Sequence, residues 1–335
     1  MKSLAVKYRP KTFDDVKGQN GVKIILRRQI ITNTIKHGYL FCGGAGTGKT
    51  TCARIFANEI NGGLGTPIEL DAASNNSVED IRNLCNQAQT KALDAEYKVF
   101  ILDECHSLSN QAWQAMLKTL EEPPAKSIFI FCTTNPEKIP QTILSRVQRY
   151  NFSKLDDDLI YKRLAEICEL ENIKVEDDRP LHYIAKLANG GMRDAITMLD
   201  ICSSYFDCIS MQSVEQALNN VSYDTLFKGL DAIWRYDTKN GQNFFDFFDE
   251  VEKAGTDLKW FIRQFFEFTV DVSSYLMHKN FDLVHIPDTY YDELQDYVGQ
   301  EDFVIKVMRT LKGLTYDLKY EQNPKPVILA TFILF

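Results

Sequence analysis

The chain contains the stretch Gly43-Gly44-Ala45-Gly46-Thr47-Gly48-Lys49-Thr50, which fits the phosphate-loop pattern G-x-x-x-x-G-K-[ST]. It follows an apolar run at residues 39–42 and precedes a helix-like segment at residues 51–61. Glycines allow the backbone to wrap a phosphate chain, and the first N–H groups of the helix supply positive potential. Lys49 is expected to reach the terminal phosphates, and the Thr50 hydroxyl to ligate Mg²⁺. The residues predicted to bind nucleotide here are Gly43, Gly44, Ala45, Gly46, Thr47, Gly48, Lys49, Thr50 and Thr51.

Short apolar runs alternate with helix-like segments on both sides of this loop. This rhythm predicts a parallel sheet flanked by helices, that is, an α/β fold. Ligands of such open sheets bind at the carboxyl ends of the strands. The predicted strands are Tyr39-Leu40-Phe41, Ile68-Glu69-Leu70, Lys98-Val99-Phe100-Ile101-Leu102, Ile128-Phe129-Ile130-Phe131 and Arg149-Tyr150-Asn151-Phe152.

Two carboxylates, Asp103 and Glu104, come directly after the third of these runs. An acidic pair after a strand is often only a turn, but here it is predicted to lie at the sheet edge beside the phosphate loop. Asp103 is then the expected Mg²⁺ partner of Thr50. Glu104 is expected to orient or deprotonate the water that attacks in phosphoryl transfer.

The remainder of the chain has mainly helical patterns. Residues 156–170 and 180–205 predict amphipathic helices, the second around a break at Gly190-Gly191. From about residue 212 the pattern is helical and rich in aromatic residues, which is typical of a helix-packing core. The apolar run at residues 327–335 is expected to be a docked helix or strand. We predict an α/β domain at residues 1–153, a small helical domain at 154–210 and an all-helical domain at 211–335.

Composition excludes several classes of protein. The 335 residues are 44% hydrophobic and 25% charged, as in an ordinary globular protein of two or three domains. No run suggests a membrane span or a secretion signal, so we expect no membrane partner and a cytoplasmic location. The eight cysteines include no Cys-x-x-Cys pair, which favours buried free thiols. Residues 1–60 carry a net charge of +8 within a total of −8, which is compatible with an anion-facing surface or with a solvated face.

Several segments occur in the order found in the clamp-loader AAA+ ATPases, and they resemble in particular the bacterial DNA polymerase III gamma/tau family. Together they cover residues 4 to about 200, while the last third agrees less closely. The segments are Tyr8-Arg9-Pro10, Val16-Lys17-Gly18-Gln19, Glu69-Leu70-Asp71-Ala72-Ala73-Ser74, Asp103-Glu104-Cys105-His106, Leu117-Lys118-Thr119-Leu120-Glu121-Glu122-Pro123-Pro124, Thr133-Thr134-Asn135-Pro136, Ser145-Arg146 and Gly190-Gly191-Met192-Arg193-Asp194.

The resemblance implies an AAA+ phosphate-loop domain with a parallel sheet, a small helical lid and an all-α C-terminal collar. It implies an ATP hydrolase that uses ATP and Mg²⁺ to open a sliding clamp and load it onto primer-template DNA during replication. The implied partners are the clamp, the DNA and other clamp-loader subunits in a pentameric assembly.

The resemblance also implies roles for particular residues. Thr134 with Asn135 resembles the polar sensor of the γ-phosphate, although a strand-end cap would explain it as well. Arg146 resembles the arginine finger that enters the ATP site of a neighbouring subunit, where a planar cation stabilises the transferred phosphoryl group. A surface arginine is the plainer interpretation. The family often has cysteine after this arginine, and this chain has Val147.

Further positions resemble the lid and base contacts of the family. Arg193 resembles the lid arginine that reaches the phosphates of its own site, so that nucleotide binding would fix the lid angle. Four positions resemble those that surround the adenine, where apolar contact and backbone hydrogen bonds would suffice. They could equally pack the N-terminal segment, and they are Arg9, Pro10, Val16 and Met192.

One departure from the family is larger. Gamma/tau subunits carry a zinc-binding cysteine cluster before the Asp-Ala-Ala-Ser motif, whereas residues 58–67 of this chain contain no cysteine or histidine. We therefore expect no zinc site. The chain also ends where the long tau extension would begin, so it resembles a minimal gamma form, for which a viral or reduced-genome source would fit.

Two segments of the chain are candidates for contact with DNA, and two other functions are alternatives to clamp loading. Residues 74–77 and 109–111 are candidate helix starts that face DNA phosphates, with plain helix capping as an equal alternative. The rivals are another AAA+ DNA-remodelling motor and a nucleotide-binding scaffold without hydrolysis. A small-molecule phosphate-loop kinase fits least, because the all-helical last third and Arg146 would have no clear role in it.

Overall fold

A computed structural model of the chain describes residues 3–218, 221–234 and 242–335. It divides into two compact units, one formed by residues 1–173 and 184–200 and the other by residues 174–183 and 201–335. Within the described residues, no helix is both long and apolar enough to cross a membrane. The predicted boundaries near residues 153 and 210 stay predictions.

The first unit contains a five-stranded parallel sheet, which confirms the predicted α/β class. The strands lie in the order β2-β3-β4-β1-β5, and Tyr39 of β1 pairs with Ile130 of β4 and Gln148 of β5. Because the strands are parallel, their carboxyl ends meet at one edge, which therefore collects the residues that follow each strand. The strands are β1 (Gly38–Gly43), β2 (Ile68–Asp71), β3 (Lys98–Asp103), β4 (Ser127–Thr133) and β5 (Gln148–Phe152).

Helices cover both faces of this sheet. Alternate side chains of β1 enter opposite cores: Tyr39 and Phe41 pack with α3, and Leu40 and Cys42 pack with α4 and α5. This alternation buries nearly every residue of β1, β3 and β4, as expected for a strand covered on both sides. The helices are α1 (Leu4–Lys7), α2 (Asn20–Ile31), α3 (Lys49–Ile60), α4 (Val78–Ala88), α5 (Asn110–Glu121), α6 (Gln141–Leu144) and α7 (Asp157–Glu171).

The segment that follows α7 differs from the prediction in one respect. It forms α8 (Arg179–Leu187) and α9 (Met192–Tyr205), separated as predicted at Gly190-Gly191. It also contains two short strands, β6 (Lys174–Val175) and β7 (Cys208–Ile209), which pair in parallel. Strands of two residues are too short to give a periodic pattern, so the sequence did not reveal them.

From residue 211 onward, the described part of the second unit is helical around an aromatic core, as the sequence predicted. The rings of Phe248 and Phe261 meet edge to face at 5.7 Å between centroids, and Phe265 is fully buried beside them. Asp257 caps α13 through the backbone N–H of Trp260. The helices from residue 211 onward are α10 (Met211–Ala217), α11 (Tyr223–Trp234), α12 (Gln242–Lys253), α13 (Leu258–His278), α14 (Tyr291–Gln295), α15 (Glu301–Asp317) and α16 (Pro324–Ile333).

The cysteines are free thiols, as expected, and all of them except Cys208 are buried. Burial raises the pKa of the Cys105 and Cys132 thiols well above the ordinary value, so both stay neutral. In the described part of the chain, no group of three or more His, Cys, Asp or Glu side chains could hold a metal ion by itself.

Candidate active site

The phosphate loop connects β1 to α3, with Gly48 in the left-handed region (φ 99°) immediately before the helix. Lys49 begins α3 and is only 6% exposed. Its ammonium donates to the carbonyl oxygens of Gly43 and Gly44 at 2.9 and 2.7 Å. A buried charge needs such partners, and these hold the ammonium against the loop that it is predicted to serve.

The structure brings together the two predicted metal ligands. The Thr50 hydroxyl donates to Asp103 Oδ2 at 2.7 Å, although the two residues lie on different elements. The other oxygen of Asp103 accepts the backbone N–H of Glu104 at 3.0 Å, which fixes the carboxylate at the end of β3. A hydroxyl and a carboxylate oxygen at this spacing form the kind of oxygen-ligand pair that Mg²⁺ uses beside phosphates. The residues therefore fit the ion, and they would hold it at this edge of the sheet.

Glu104 is held by one residue that follows the neighbouring strand β4 and by one residue of its own turn after β3. Thr134, just beyond β4, donates its hydroxyl to Glu104 Oε2 at 3.0 Å. The imidazole Nδ1 of His106 lies 3.2 Å from the same carboxylate oxygen. Asn135 donates its backbone N–H to the Thr133 hydroxyl at 3.0 Å, which secures the turn after β4. Of the predicted sensor pair, Thr134 therefore contacts the site through Glu104, and Asn135 contacts Thr133.

A cavity of about 190 Å³ opens beside these residues in the first unit. Its lining falls into two groups by sequence. The loop group consists of residues 45–51 with Asp103 and Glu104, and the remaining residues form the dispersed group, drawn from segments far apart in the chain. The dispersed group is Ala5, Tyr8, Arg9, Pro10, Asp15, Val16, Lys17, Leu155, Arg163, Met192, Arg193 and Ile196.

The cavity collects most of the predicted nucleotide contacts. Arg9, Pro10, Val16, Met192 and Arg193 all line it. Among the residues that the structure describes, five predicted site positions lie outside its lining. These are Gly43, Gly44, Thr134, Asn135 and Arg146.

The sequence analysis missed part of the dispersed group. Arg163, on α7, lies with its guanidinium carbon 5.6 Å from the centroid of the Tyr8 ring. The Tyr8 hydroxyl donates to Glu171, also on α7, and the Lys7 ammonium pairs with the same carboxylate at 2.5 Å. These contacts attach the N-terminal segment to α7. The only sequence signal was that Tyr8 belongs to the same motif as Arg9 and Pro10.

Two arginines of the cavity lining, Arg9 and Arg193, and the nearby Arg54 interact electrostatically. Burial lowers the pKa of Arg9, and repulsion from Arg54 and Arg193 lowers it further, while Glu69 and Asp103 oppose the shift. Arg54 itself pairs with Glu69 at 2.5 Å. An anionic ligand would relieve the repulsion among these guanidinium groups, so the electrostatics favour a phosphate-bearing ligand.

Two glycines allow the loop and the start of α9 to approach closely. Gly46 has φ +68°, and a Cβ atom built on it would lie 2.9 Å from the Cα of Gly191. A Cβ atom on Gly191 would lie 3.2 Å from the carbonyl oxygen of Ala45 in the loop and 2.7 Å from the carboxylate of Asp194. Side chains at either position would therefore push the loop and α9 apart.

Arg146 lies just after α6, on the surface. Its guanidinium donates to Glu121 Oε1 at 2.6 Å and to the carbonyl oxygen of Thr142 at 2.7 Å. Glu121 is the last residue of α5 and belongs to the Leu-Glu-Glu-Pro-Pro motif. The proposed role of Arg146 in a neighbouring subunit stays a prediction.

The two candidate DNA-facing segments are helix caps in this structure. Ser77 and Asp80 form a capping box at the start of α4, and the Ser109 hydroxyl accepts the N–H of Ala112 at the start of α5. Asn75 donates its side-chain amide to the Asp71 carbonyl oxygen. Capping is therefore observed, and contact with DNA stays a prediction.

Two protein-family models match parts of this chain. A family model described as "DNA polymerase III, delta subunit" matches residues 66–156, and one described as "RCF1/5-like, AAA+ ATPase lid domain" matches residues 162–204. The "DNA polymerase III subunit gamma/tau" of Mycoplasma genitalium is 36% identical over 326 residues, which are 90% of this chain and 54% of that protein. The chain belongs to the clamp-loader family of AAA+ proteins.

One further curated relative and one solved structure are also similar to this chain. The "DNA polymerase III subunit tau" of Bacillus subtilis is 41% identical over 219 residues, 59% of this chain and 39% of that protein. The chain thus spans about half or less of the curated relatives that it matches. The Thermotoga maritima RuvB branch migration motor is 18% identical, with a TM-score of 0.53 over 69% of this chain and 80% of that one. At that identity the likeness concerns the fold alone, and it agrees with the predicted α/β fold.

Proposed function

We propose that this protein is an ATP-hydrolysing subunit of a DNA sliding-clamp loader, which uses ATP to open a clamp and load it onto primer-template DNA. The observation that supports this most directly is the Thr50–Asp103 hydrogen bond of 2.7 Å beside Glu104, in the wall of a cavity lined by the phosphate loop. Kinship with the gamma/tau subunits supports the choice of clamp loading over other AAA+ activities.

The residues present divide the chemistry among them. The loop N–H groups and Lys49 hold the phosphates, and Thr50 with Asp103 would hold Mg²⁺. When bound, Mg²⁺ neutralises charge on the phosphate oxygens. Glu104 holds the attacking water and accepts its proton at a carboxylate oxygen. Four residues of the dispersed group surround the adenine mainly by apolar contact and backbone hydrogen bonds, namely Arg9, Pro10, Val16 and Met192. Arg193 contacts the phosphates, so that nucleotide binding changes the lid angle.

A neighbouring subunit completes the site in this proposal. Arg146 lies outside the cavity lining of its own chain, within the described ranges, and it pairs with Glu121 on the surface. This placement supports an arginine finger that acts on the next subunit. The proposed partners are therefore the clamp, primer-template DNA and companion subunits in a pentameric assembly.

The test is steady-state ATP hydrolysis by the assembled complex, with and without a sliding clamp and primed DNA. We expect clamp and primed DNA together to stimulate hydrolysis. Lys49→Ala should abolish it, because the buried ammonium is lost from the phosphate loop. Arg146→Ala should lower turnover on the order of 10³-fold, while ATP binding persists. Mixing Arg146→Ala with wild-type subunits should restore the sites that receive a wild-type finger.

Arg149→Ala is the matched control, since Arg149 is also exposed, pairs with Asn151 and lies three residues from Arg146. It should hydrolyse ATP normally. Stimulation by DNA alone, without any clamp effect, would favour another DNA-remodelling motor. Nucleotide binding without hydrolysis in the full assembly would favour the scaffold function.

A further inference from the structure

The carboxylate of Glu104 is approached from one side by two donors. Thr134 Oγ1 and His106 Nδ1 lie 3.0 and 3.2 Å from the same atom, Oε2. Both donors therefore use one oxygen of the carboxylate. Among the described residues, no hydrogen bond engages the second oxygen, Oε1, and Glu104 lines the cavity, so Oε1 is left for a water there.

The surroundings of His106 determine which of its nitrogens carries a proton. Nδ1 also lies 3.1 Å from the Thr133 hydroxyl oxygen, which accepts the backbone N–H of Asn135. If Nδ1 had a lone pair, that lone pair would face the negatively charged Oε2. A proton on Nδ1 instead donates to Oε2 and to the Thr133 oxygen together. The geometry thus assigns the Nδ1–H tautomer or the doubly protonated ring.

The side chain of Glu104 is only partly buried, so the surrounding protein does little to restrict its rotamer without these two hydrogen bonds. Glu104 adopts a left-handed conformation (φ 47°), and its side chain is 38% exposed. A half-exposed glutamate samples several rotamers, which would spread Oε1 over many positions relative to a reacting water. His106 is 19% exposed and belongs to the short turn Cys105–Ser107, in which Cys105 is fully buried. The imidazole is therefore the more firmly placed of the two groups.

We propose that His106 is a positioning residue for ATP hydrolysis: its Nδ1–H holds Oε2 of Glu104 and so aims Oε1 at the attacking water. The proposal rests on the proposed role of Glu104 in activating that water. It gives a function to the histidine of the Asp-Glu-Cys-His motif, which contacts neither the phosphate loop nor the predicted metal ligands in the described structure. Thr134, just after β4, also holds Oε2 of Glu104 through its hydroxyl.

The test compares two substitutions of His106 in the assembled complex. In His106→Asn the amide nitrogen falls near the position of Nδ1, and in His106→Gln it falls near that of Nε2. His106→Gln should lower kcat for ATP about 10-fold, a fraction of what a general base contributes, and leave the KM for ATP unchanged. His106→Asn should recover most of that loss. A merely structural role would not distinguish the two amides, so equal kcat values would overturn the proposal.

A double-mutant cycle with Glu104→Gln tests whether His106 affects kcat through the carboxylate of Glu104. Because His106 acts through the carboxylate, adding His106→Gln to Glu104→Gln should cause no further loss of kcat. A further 10-fold loss in the double variant would show that His106 acts elsewhere and would overturn the proposal. A fall in melting temperature shared by both His106 variants would identify a structural role for His106, and this result would also overturn the proposal.

The cycle also separates this inference from the proposed function. If Glu104→Gln hydrolyses ATP as fast as wild type, the proposed role of Glu104 is wrong, and the inference falls with it. If hydrolysis depends on Glu104 and His106 as expected but does not respond to clamp and primed DNA, clamp loading is wrong and the positioning role stands.

Discussion

The loop group and the dispersed group of cavity residues differ in how the chain assembles them. The loop group comes from one continuous stretch and from two residues at the end of β3. The dispersed group combines the N-terminal segment with Leu155 and with residues of α7 and α9, at least 138 positions away in the sequence. The residues proposed to bind phosphate and metal thus lie at the edge of the sheet, where their positions are fixed by the strands. The residues that only enclose the ligand come from elements packed against that edge. We expect substitutions in the two groups to have different kinetic signatures.

Among Thr50→Val, Gly46→Ala and Met192→Ala, the largest effect is expected from Thr50→Val in the loop group. Valine keeps the shape of threonine but removes the hydroxyl that meets Asp103 at 2.7 Å. ATP turnover should fall about 100-fold or more, because a bound metal contributes several kcal/mol to such reactions. Thr50→Ser keeps the hydroxyl and should stay close to wild type. Turnover measured over a Mg²⁺ titration checks this, and equal curves for the valine and serine variants would contradict the metal assignment.

A smaller effect is expected where the two groups meet, at Gly46→Ala. The left-handed φ of +68° costs a residue with Cβ roughly 1–2 kcal/mol, and the new atom would lie 2.9 Å from Gly191 Cα. We expect ATP affinity about 10-fold weaker, measured by calorimetric titration. Gly21→Ala is the control, since a Cβ atom there meets nothing within 4 Å. Normal affinity in Gly46→Ala would show that the close approach does not matter for binding.

The smallest effect is expected from Met192→Ala in the dispersed group. Met192 lines the cavity and offers only apolar contact, which acts equally on substrate and transition state. The KM for ATP should rise about 3-fold and kcat should not change, while Met192→Leu should resemble wild type. Steady-state kinetics decide this. A fall in kcat at constant KM would erase the distinction between the two groups.

The sequence predicted the fold of the first unit well because the determining patterns are local. Five apolar runs predicted five strands, and each is present in the parallel sheet. Asp103 and Glu104 could be placed beside Lys49 and Thr50 because the carboxyl ends of parallel strands share one edge. The pairing of β6 with β7 escaped prediction, since strands of two residues carry no periodicity.

In the helical unit, too, the sequence predicted the buried residues but not their contacts. Aromatic residues at helical spacing predicted a packed core, and the core contains Phe248, Phe261 and Phe265. The spacing could not tell which rings would meet, since periodicity identifies the buried face of a helix and not its neighbour.

The sequence alone determined the phosphate loop, the acidic pair and the order of strands and helices, because each depends on residues adjacent in the chain. Tertiary structure decided that Tyr8 and Arg163 join the cavity wall, that Glu121 holds Arg146, and that His106 and Thr134 share one oxygen of Glu104. These contacts depend on how separate elements pack. Packing distances of a few ångströms result from the whole core, and no short stretch of sequence contains that information.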